Sequence, residues 1–239
     1  LVSPEAQMRR QNTRLRMCKK RLRIETIVSM PFEENTYVVH REDHVDCVVI
    51  DPGLEPQKII GILEQQGLTP RAIICTHGHA DHIGGNGVLK QRWPEVVLAI
   101  GHGDAEKLTD PQRNLSAGFG LSVTSPPADI LLRHGETYEA AGIPFEILET
   151  PGHSAGHVVL VVRIETVPTL FGGDVLFRGS IGRTDFPDGN HQQLIESIRG
   201  ELFLFPDESV VLSGHGPPTT VGREKRENPF VGIPAGYAG

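Results

Sequence analysis

The chain has 239 residues, 38% hydrophobic and 22% charged, which suits a globular protein long enough to bury a sizeable core. No apolar run approaches the roughly 20 residues that cross a bilayer. A net charge of −7 excludes nucleic-acid binding driven by bulk charge.

The first tract runs against that balance. Arg9, Arg10, Arg14, Arg16, Lys19, Lys20, Arg21 and Arg23 stand together with no acid among them. Residues 1–20 are read as a basic, disordered leader, in preference to a nucleic-acid arm or a transit segment. Met17 is a candidate start, and no apolar stretch follows that would make a secretory signal. Cys18, Cys47 and Cys75 are scattered and form no CxxC, which predicts a reduced, cytoplasmic chain without disulfides.

Residues 21–239 read as one domain. RIETIVS and NTYVVH predict strands, and DCVVIDPG is an apolar strand closed by a Pro-Gly turn. PQKIIGILEQQG has helical spacing and stops at Gly67. RAIICTHGH is a buried strand, residues 82–92 a short helix, EVVLAIG a strand, and residues 103–128 a loop with a short helix. IPFEILETPGH, HVVLVVRI, PTLFGGD and SVVLSGHG predict further strands, with QQLIESIRGELFLF as an amphipathic helix before the last. Strands and helices alternate in both halves, which predicts an α/β fold.

The chemistry concentrates at THGHADHIGG, residues 76–85. The imidazoles of His77, His79 and His82 and the carboxylate of Asp81 all suit zinc or a similar divalent ion. On a tight loop after a strand, His77 and His79 can grip one ion while Asp81 and His82 turn toward a second. Gly78, Gly84 and Gly85 are expected to supply unusual dihedrals for that turn. His153 in TPGHSAGH, Asp174 in FGGD and His215 in LSGHG each follow a predicted strand. Together they make a seven-ligand set, enough for two ions and one bridging carboxylate.

HGHADH followed by His153, Asp174 and His215 resembles the metallo-β-lactamase superfamily, from about residue 22 to the end. The resemblance implies a four-layer αβ/βα sandwich. It also implies one ion on His77, His79 and His153, a second on Asp81, His82 and His215, and Asp174 between them. Two such ions lower the pKa of a shared water to near neutral and polarise a substrate carbonyl. Asp81 is also expected to orient the nucleophile as a catalytic carboxylate. A thiolate leaving group, with a thiol pKa of about 8.5, needs no strong general acid. Asp51 either orients a histidine ligand from behind or merely opens the Pro-Gly turn.

GGDVLFRGSIGRTDFPDG, residues 172–189, resembles the glyoxalase II-like (hydroxyacylglutathione hydrolase) and persulfide dioxygenase-like branches. The resemblance implies that Arg183 binds the glycine carboxylate of glutathione, as suits a guanidinium fork. The competing reading pairs Arg183 with Asp185 or Asp188. SGHGPPTTVGREKRENPF, residues 213–230, is similar to the short bacterial form of glyoxalase II. The glutathione contacts made by the C-terminal helical domain of the long form are therefore not expected.

The expectation is a metal-dependent hydrolase of a small-molecule thioester such as S-lactoylglutathione, with no nucleic-acid or membrane partner. Two divalent ions are implied, zinc from ligand type, with iron or manganese admitted by the affinity order. Competing readings are a mononuclear-iron persulfide dioxygenase using His77, His153 and Asp174, a lactonase, and a binding module without turnover. True β-lactamases fit less well, because a secretory signal is expected of them. Of the other histidines, His102 is a candidate lining residue, while His157 shows no legible partner. Phe119 and Leu121 are assigned either to a substrate mouth or to the core.

Overall fold

A computed structural model describes residues 21–239; the predicted leader, Cys18 and Met17 lie outside them. Two six-stranded sheets face each other. The first runs in the order β1 (Leu22–Ser29), β2 (Glu34–Arg41), β3 (Asp46–Ile50), β4 (Thr69–Cys75), β5 (Val97–Gly101) and β6 (Ile130–Leu132). The second runs β14 (Thr219–Thr220), β13 (Val210–Ser213), β10 (Thr169–Gly173), β9 (Val158–Val162), β8 (Ile143–Glu149) and β7 (Thr137–Ala140). A small hairpin, β11 (Leu176–Phe177) with β12 (Ser180–Ile181), follows β10.

The period of two along each strand builds the layers. Val48 and Ile50 of β3, Ile74 of β4, and Val158, Leu160 and Val162 of β9 point into the space between the sheets. Their neighbours Cys47, Val49, Ile73 and Cys75 face the other way, against Ile59 and Leu63 of α1 (Pro56–Gln66) and Leu89 of α3 (Asn86–Arg92). Val159 and Val161 face Leu194 and Ile198 of α4 (His191–Gly200) and Val221 of α5 (Val221–Glu227). Both faces of the central strands are buried, which explains their unbroken apolar runs. The result is the expected αβ/βα sandwich. Phe171 of β10 is 1% exposed between the sheets, and its truncation to Ala would cost about 3–5 kcal/mol.

Some boundaries differ from the sequence reading. α1 starts with Pro56 in its first turn and stops at Gly67 in the left-handed region, as proline and glycine favour. The single helix expected over residues 82–92 is two, α2 (Ala80–Ile83) and α3, broken at Gly84–Gly85. QQLIESIRGELFLF leaves the α-helix at Gly200 and finishes as a 3-10 turn over Leu202–Leu204. Residues 103–128 hold two 3-10 turns, His102–Leu108 and Ser116–Phe119. Both cysteines in the described residues, Cys47 and Cys75, are buried and free. Among the described residues no helix is long and apolar enough to cross a membrane.

Candidate metal centre

The site gathers what the strands release at one edge of the sandwich. β4 ends at Cys75 and hands the chain to His77 and His79; α2 follows at once with Asp81 and His82. His153 lies in the turn after β8, Asp174 directly follows β10, and His215 lies just beyond β13. The glycines of the first loop act differently from expectation. None of Gly78, Gly84 and Gly85 has a positive φ. They permit close packing: an added Cβ would lie 2.5 Å from Lys107 Cβ at Gly78, 2.5 Å from Leu54 Cδ2 at Gly84 and 2.9 Å from Pro52 Cβ at Gly85.

His77, His79 and His153 bring one ligand atom each within 4.8 Å of one another, and so do Asp81, His82 and His215. Asp174 touches both groups. Its Oδ2 lies 3.6 Å from His153 Nε2 and 3.5 Å from His215 Nε2, and its Oδ1 lies 3.5 Å from His82 Nε2. Asp81 Oδ2 is 3.3 Å from His215 Nε2. His79 Nδ1 and His153 Nε2 approach to 2.9 Å. The structure thus joins all seven residues singled out in the sequence. Gly214 keeps the space open, since a Cβ there would lie 2.3 Å from Asp174 Oδ1.

Hydrogen bonds set the imidazole tautomers. His82 Nδ1 donates to Asp51 Oδ2 at 3.1 Å, His153 Nδ1 to the Arg183 carbonyl at 2.8 Å and His215 Nδ1 to the Phe32 carbonyl at 3.0 Å. Thr76 Oγ1 donates its one proton to Asp51 Oδ2 at 2.7 Å, so it accepts from His77 Nδ1 at 3.1 Å. In all four rings the committed Nδ1 leaves Nε2 as the free ligand atom. Asp51 therefore does both things expected of it. It opens the Pro-Gly turn with a φ of 49°, and it holds His82 and, through Thr76, His77.

The donor set fits divalent cations on this structure's own terms. His77 Nε2 and Asp174 Oδ1 are buried without any hydrogen-bond partner, a situation that costs about 1–3 kcal/mol per group unless something else satisfies it. The electrostatics also ask for positive charge. Burial would raise the Asp174 carboxyl, yet the charges of His82 and His215 hold it well below the carboxylate range. Burial opposes charge on His82 and His215, but Asp81 and Asp174, joined at His82 by Asp51, lift them to about 10 and about 11. Burial pushes His77 and His79 well down. Asp51, His77 and His82 also converge within 4.8 Å, but both Asp51 oxygens are already engaged by Thr76 and His82, so we assign no ion there.

Three supports were not legible in the sequence. Asp104 is fully buried and accepts from Gly78 N, Ser154 Oγ and Gly156 N, each at 2.8 Å. It ties the His77–His79 loop to the His153 turn. Lys107 lies 3.2 Å from Asp104 and 2.6 Å from Asp188. His157 accepts from Asp174 N at 3.1 Å and so fixes the backbone beneath that carboxylate. Its signal was the second histidine of TPGHSAGH. His102 does not join the site; it is exposed and pairs with Glu149 at 3.1 Å.

A cleft of about 390 Å³ opens over the ligands, with His79, Asp81, His153, Asp174 and His215 at its base. Phe119, Leu121 and Arg183 all line it. The Arg183 guanidinium is already bound: Nε and Nη2 each lie 2.7 Å from an Asp185 carboxylate oxygen, and the group covers the Phe186 ring at 4.4 Å. The competing reading of Arg183 is thus what the structure contains, although the residue does face the cleft.

Comparison with known proteins follows the same lines. The family model of the metallo-beta-lactamase superfamily matches residues 30–215. The hydroxyacylglutathione hydrolase GloC of Haemophilus influenzae is 37% identical over 88% of this chain and 98% of its own length. The crystal structure of BLEG-1 B3 metallo-beta-lactamase superposes with a TM-score of 0.83 at 36% identity, covering 87% of this chain and 99% of that one. TTHA1623 in a di-iron-bound form gives a TM-score of 0.75 at 35% identity, covering 86% and 99%.

Proposed function

This chain belongs to the metallo-beta-lactamase superfamily as a metal-dependent hydrolase, and we propose that it cleaves a small-molecule thioester to a carboxylate and a free thiol. One observation carries the reading: Asp174 lies between two complete triads, His77–His79–His153 and Asp81–His82–His215. A reading with one iron on His77, His153 and Asp174 leaves the second triad without a task. The resemblance of GloC, a hydroxyacylglutathione hydrolase, supports the thioester over a lactone.

Zinc is the metal we assign from the nitrogen- and oxygen-rich ligands; the di-iron form of TTHA1623 makes iron the alternative to test. Two divalent cations supply Lewis acidity, which lowers the pKa of water toward 7 and stabilises charge developing on a carbonyl oxygen. The chain's own residues do the rest. Asp51 and Thr76 fix the rings of His82 and His77. Asp81, 20% exposed at the cleft base, orients the attacking water. The departing thiolate needs no acid at its sulfur. Arg183 takes a carboxylate of the thiol arm in exchange for Asp185, an exposed pair that is cheap to part. The free buried cysteines suit a reducing, cytoplasmic setting.

The test is thiol release from S-lactoylglutathione by metal-loaded protein against a chelator-stripped control. Release restored by metal is expected. Oxygen consumption with a persulfide substrate, without thiol release from any thioester, would replace the hydrolase with the dioxygenase.

A further inference from the structure

The cleft has two unlike walls. Near His79 and His153 stands Phe186, its ring 5.0 and 5.7 Å from theirs, capped by Arg183. Near His215 stand Phe177, at 6.3 Å between ring centres, and Phe32, whose carbonyl holds His215 Nδ1. Phe32 meets Phe119 edge to face at 5.5 Å, and Leu54 and Leu121 extend the same apolar lining. Phe119 is 62% exposed and Leu121 47%. Large apolar groups held open at a cleft mouth gain most when a ligand covers them.

Of the polar side chains of the cleft outside the seven ligands, Asn114 and Ser116 are committed within the protein and Arg183 is paired. The Asn114 amide donates to the Lys107 and Val123 carbonyls and accepts from Ser116 N. Ser116 Oγ accepts from Val123 N and donates to the Pro111 carbonyl. Arg183 is held by Asp185. Ser180 keeps only a long contact of 3.4 Å to the Ile181 carbonyl. Along Phe119 and Leu121, beside Asn114 and Ser116, a polar acyl group would lose its water without gaining partners, a poor exchange for any desolvated hydroxyl or amide.

Resting on the thioesterase reading, which sends the thiol arm to Arg183, we propose that the acyl arm is apolar and lies on the Phe32–Phe119–Leu121 wall. The preferred substrate class is then an alkanoyl or arylalkanoyl thioester, cleaved ahead of a hydroxyacyl one such as S-lactoylglutathione. Hydrolysis is balanced by water alone: the acyl carbon gains hydroxyl oxygen, the C–S bond breaks, and the thiolate leaves with the electron pair and takes a proton from solvent.

The experiment compares acetyl, lactoyl, butyryl, hexanoyl and phenylacetyl esters of one thiol, glutathione, on the metal-loaded protein. Each methylene that reaches the wall should raise kcat/KM about fourfold. Hexanoyl should exceed both acetyl and lactoyl at least tenfold, and Phe119→Ala should cut the hexanoyl-to-acetyl ratio below threefold. A second measurement needs no turnover: binding of hexanoate and lactate to the same protein by calorimetry. Hexanoate should bind at least tenfold more tightly, with the margin lost in Phe119→Ala. Cleavage without dependence on acyl length, or a preference for lactoyl, overturns the acyl inference and leaves the thioesterase standing. If no thioester is cleaved, that reading fails, and the acids still decide the wall: equal binding of hexanoate and lactate overturns it.

Discussion

The Oδ2 atom of Asp51 lies 3.1 Å from Nδ1 of His82, and both side chains are buried. This contact turns His82 Nε2 toward Asp81 and Asp174. Asp51→Asn keeps the shape, but its amide can present nitrogen to His82 only by reversing the donor. The expected outcome is a loss of about 10–100-fold in metal affinity, read by competition with a chromophoric chelator. Unchanged affinity and activity would remove Asp51 from the site.

Asp104 and Lys107 make a second buried support. Asp104→Ala strips acceptors from Gly78 N, Ser154 Oγ and Gly156 N and leaves Lys107 with Asp188 alone. Breaking a buried pair on one side costs about 3–5 kcal/mol, and urea unfolding should register a loss of that order. Because Asp104 joins the two loops of the first triad, metal affinity should fall with it. A stable variant with normal metal binding would show the clamp to be idle.

Metal-stripped protein should carry a characteristic pH dependence. His82 and His215 are lifted to about 10 and about 11 by the surrounding carboxylates against burial, while an unfolded histidine titrates at about 6.5. Their contribution is complete below about 6.5 and is lost progressively as pH rises toward those folded values. Burial lowers His77, His79, His153 and His157, so these favour the unfolded chain as pH falls below about 6.5. Tm of the stripped protein should therefore peak near neutrality and fall on both sides. Added metal should raise Tm most on the alkaline side, where no proton competes for the ligands. A stripped protein whose Tm rises steadily from pH 7 to 10 would contradict this.

Arg183 and Asp185 should separate in their kinetics. Arg183→Ala should raise KM for a glutathione thioester with little change in kcat, the mark of uniform binding loss. Asp185→Asn frees the guanidinium and should lower KM. Both residues are largely exposed, so stability should move by no more than about 1 kcal/mol. Steady-state kinetics on both variants decides it; equal KM in all three proteins would remove Arg183 from substrate binding.

The α/β class was legible because apolar strands alternate with helices, while the sandwich followed only from the family resemblance; the ligands were legible because HGHADH, GHSAGH, GGD and SGHG each follow an apolar strand. What stayed hidden depends on partners distant in the chain. Asp104 reads as one surface acid among many until the fold brings Gly78 and Gly156 to it across 26 and 52 residues. Gly84 and Gly85 read as a flexible turn, whereas packing against Leu54 and Pro52 is what demands them. They also break the helix expected over residues 82–92. The resemblance of residues 172–189 assigns Arg183 to substrate but cannot name its side-chain partner, because Asp185, two residues on, and Asp188, five residues on, are both within reach of a long side chain. The structure joins Arg183 to Asp185 and gives Asp188 to Lys107.

The most direct measurement titrates stripped protein with zinc while following thiol release from a glutathione thioester and metal bound per chain. Activity should level off only at two equivalents and collapse in His215→Ala. Full activity at one equivalent that survives His215→Ala, or no thiol release from folded protein at saturation, would contradict this.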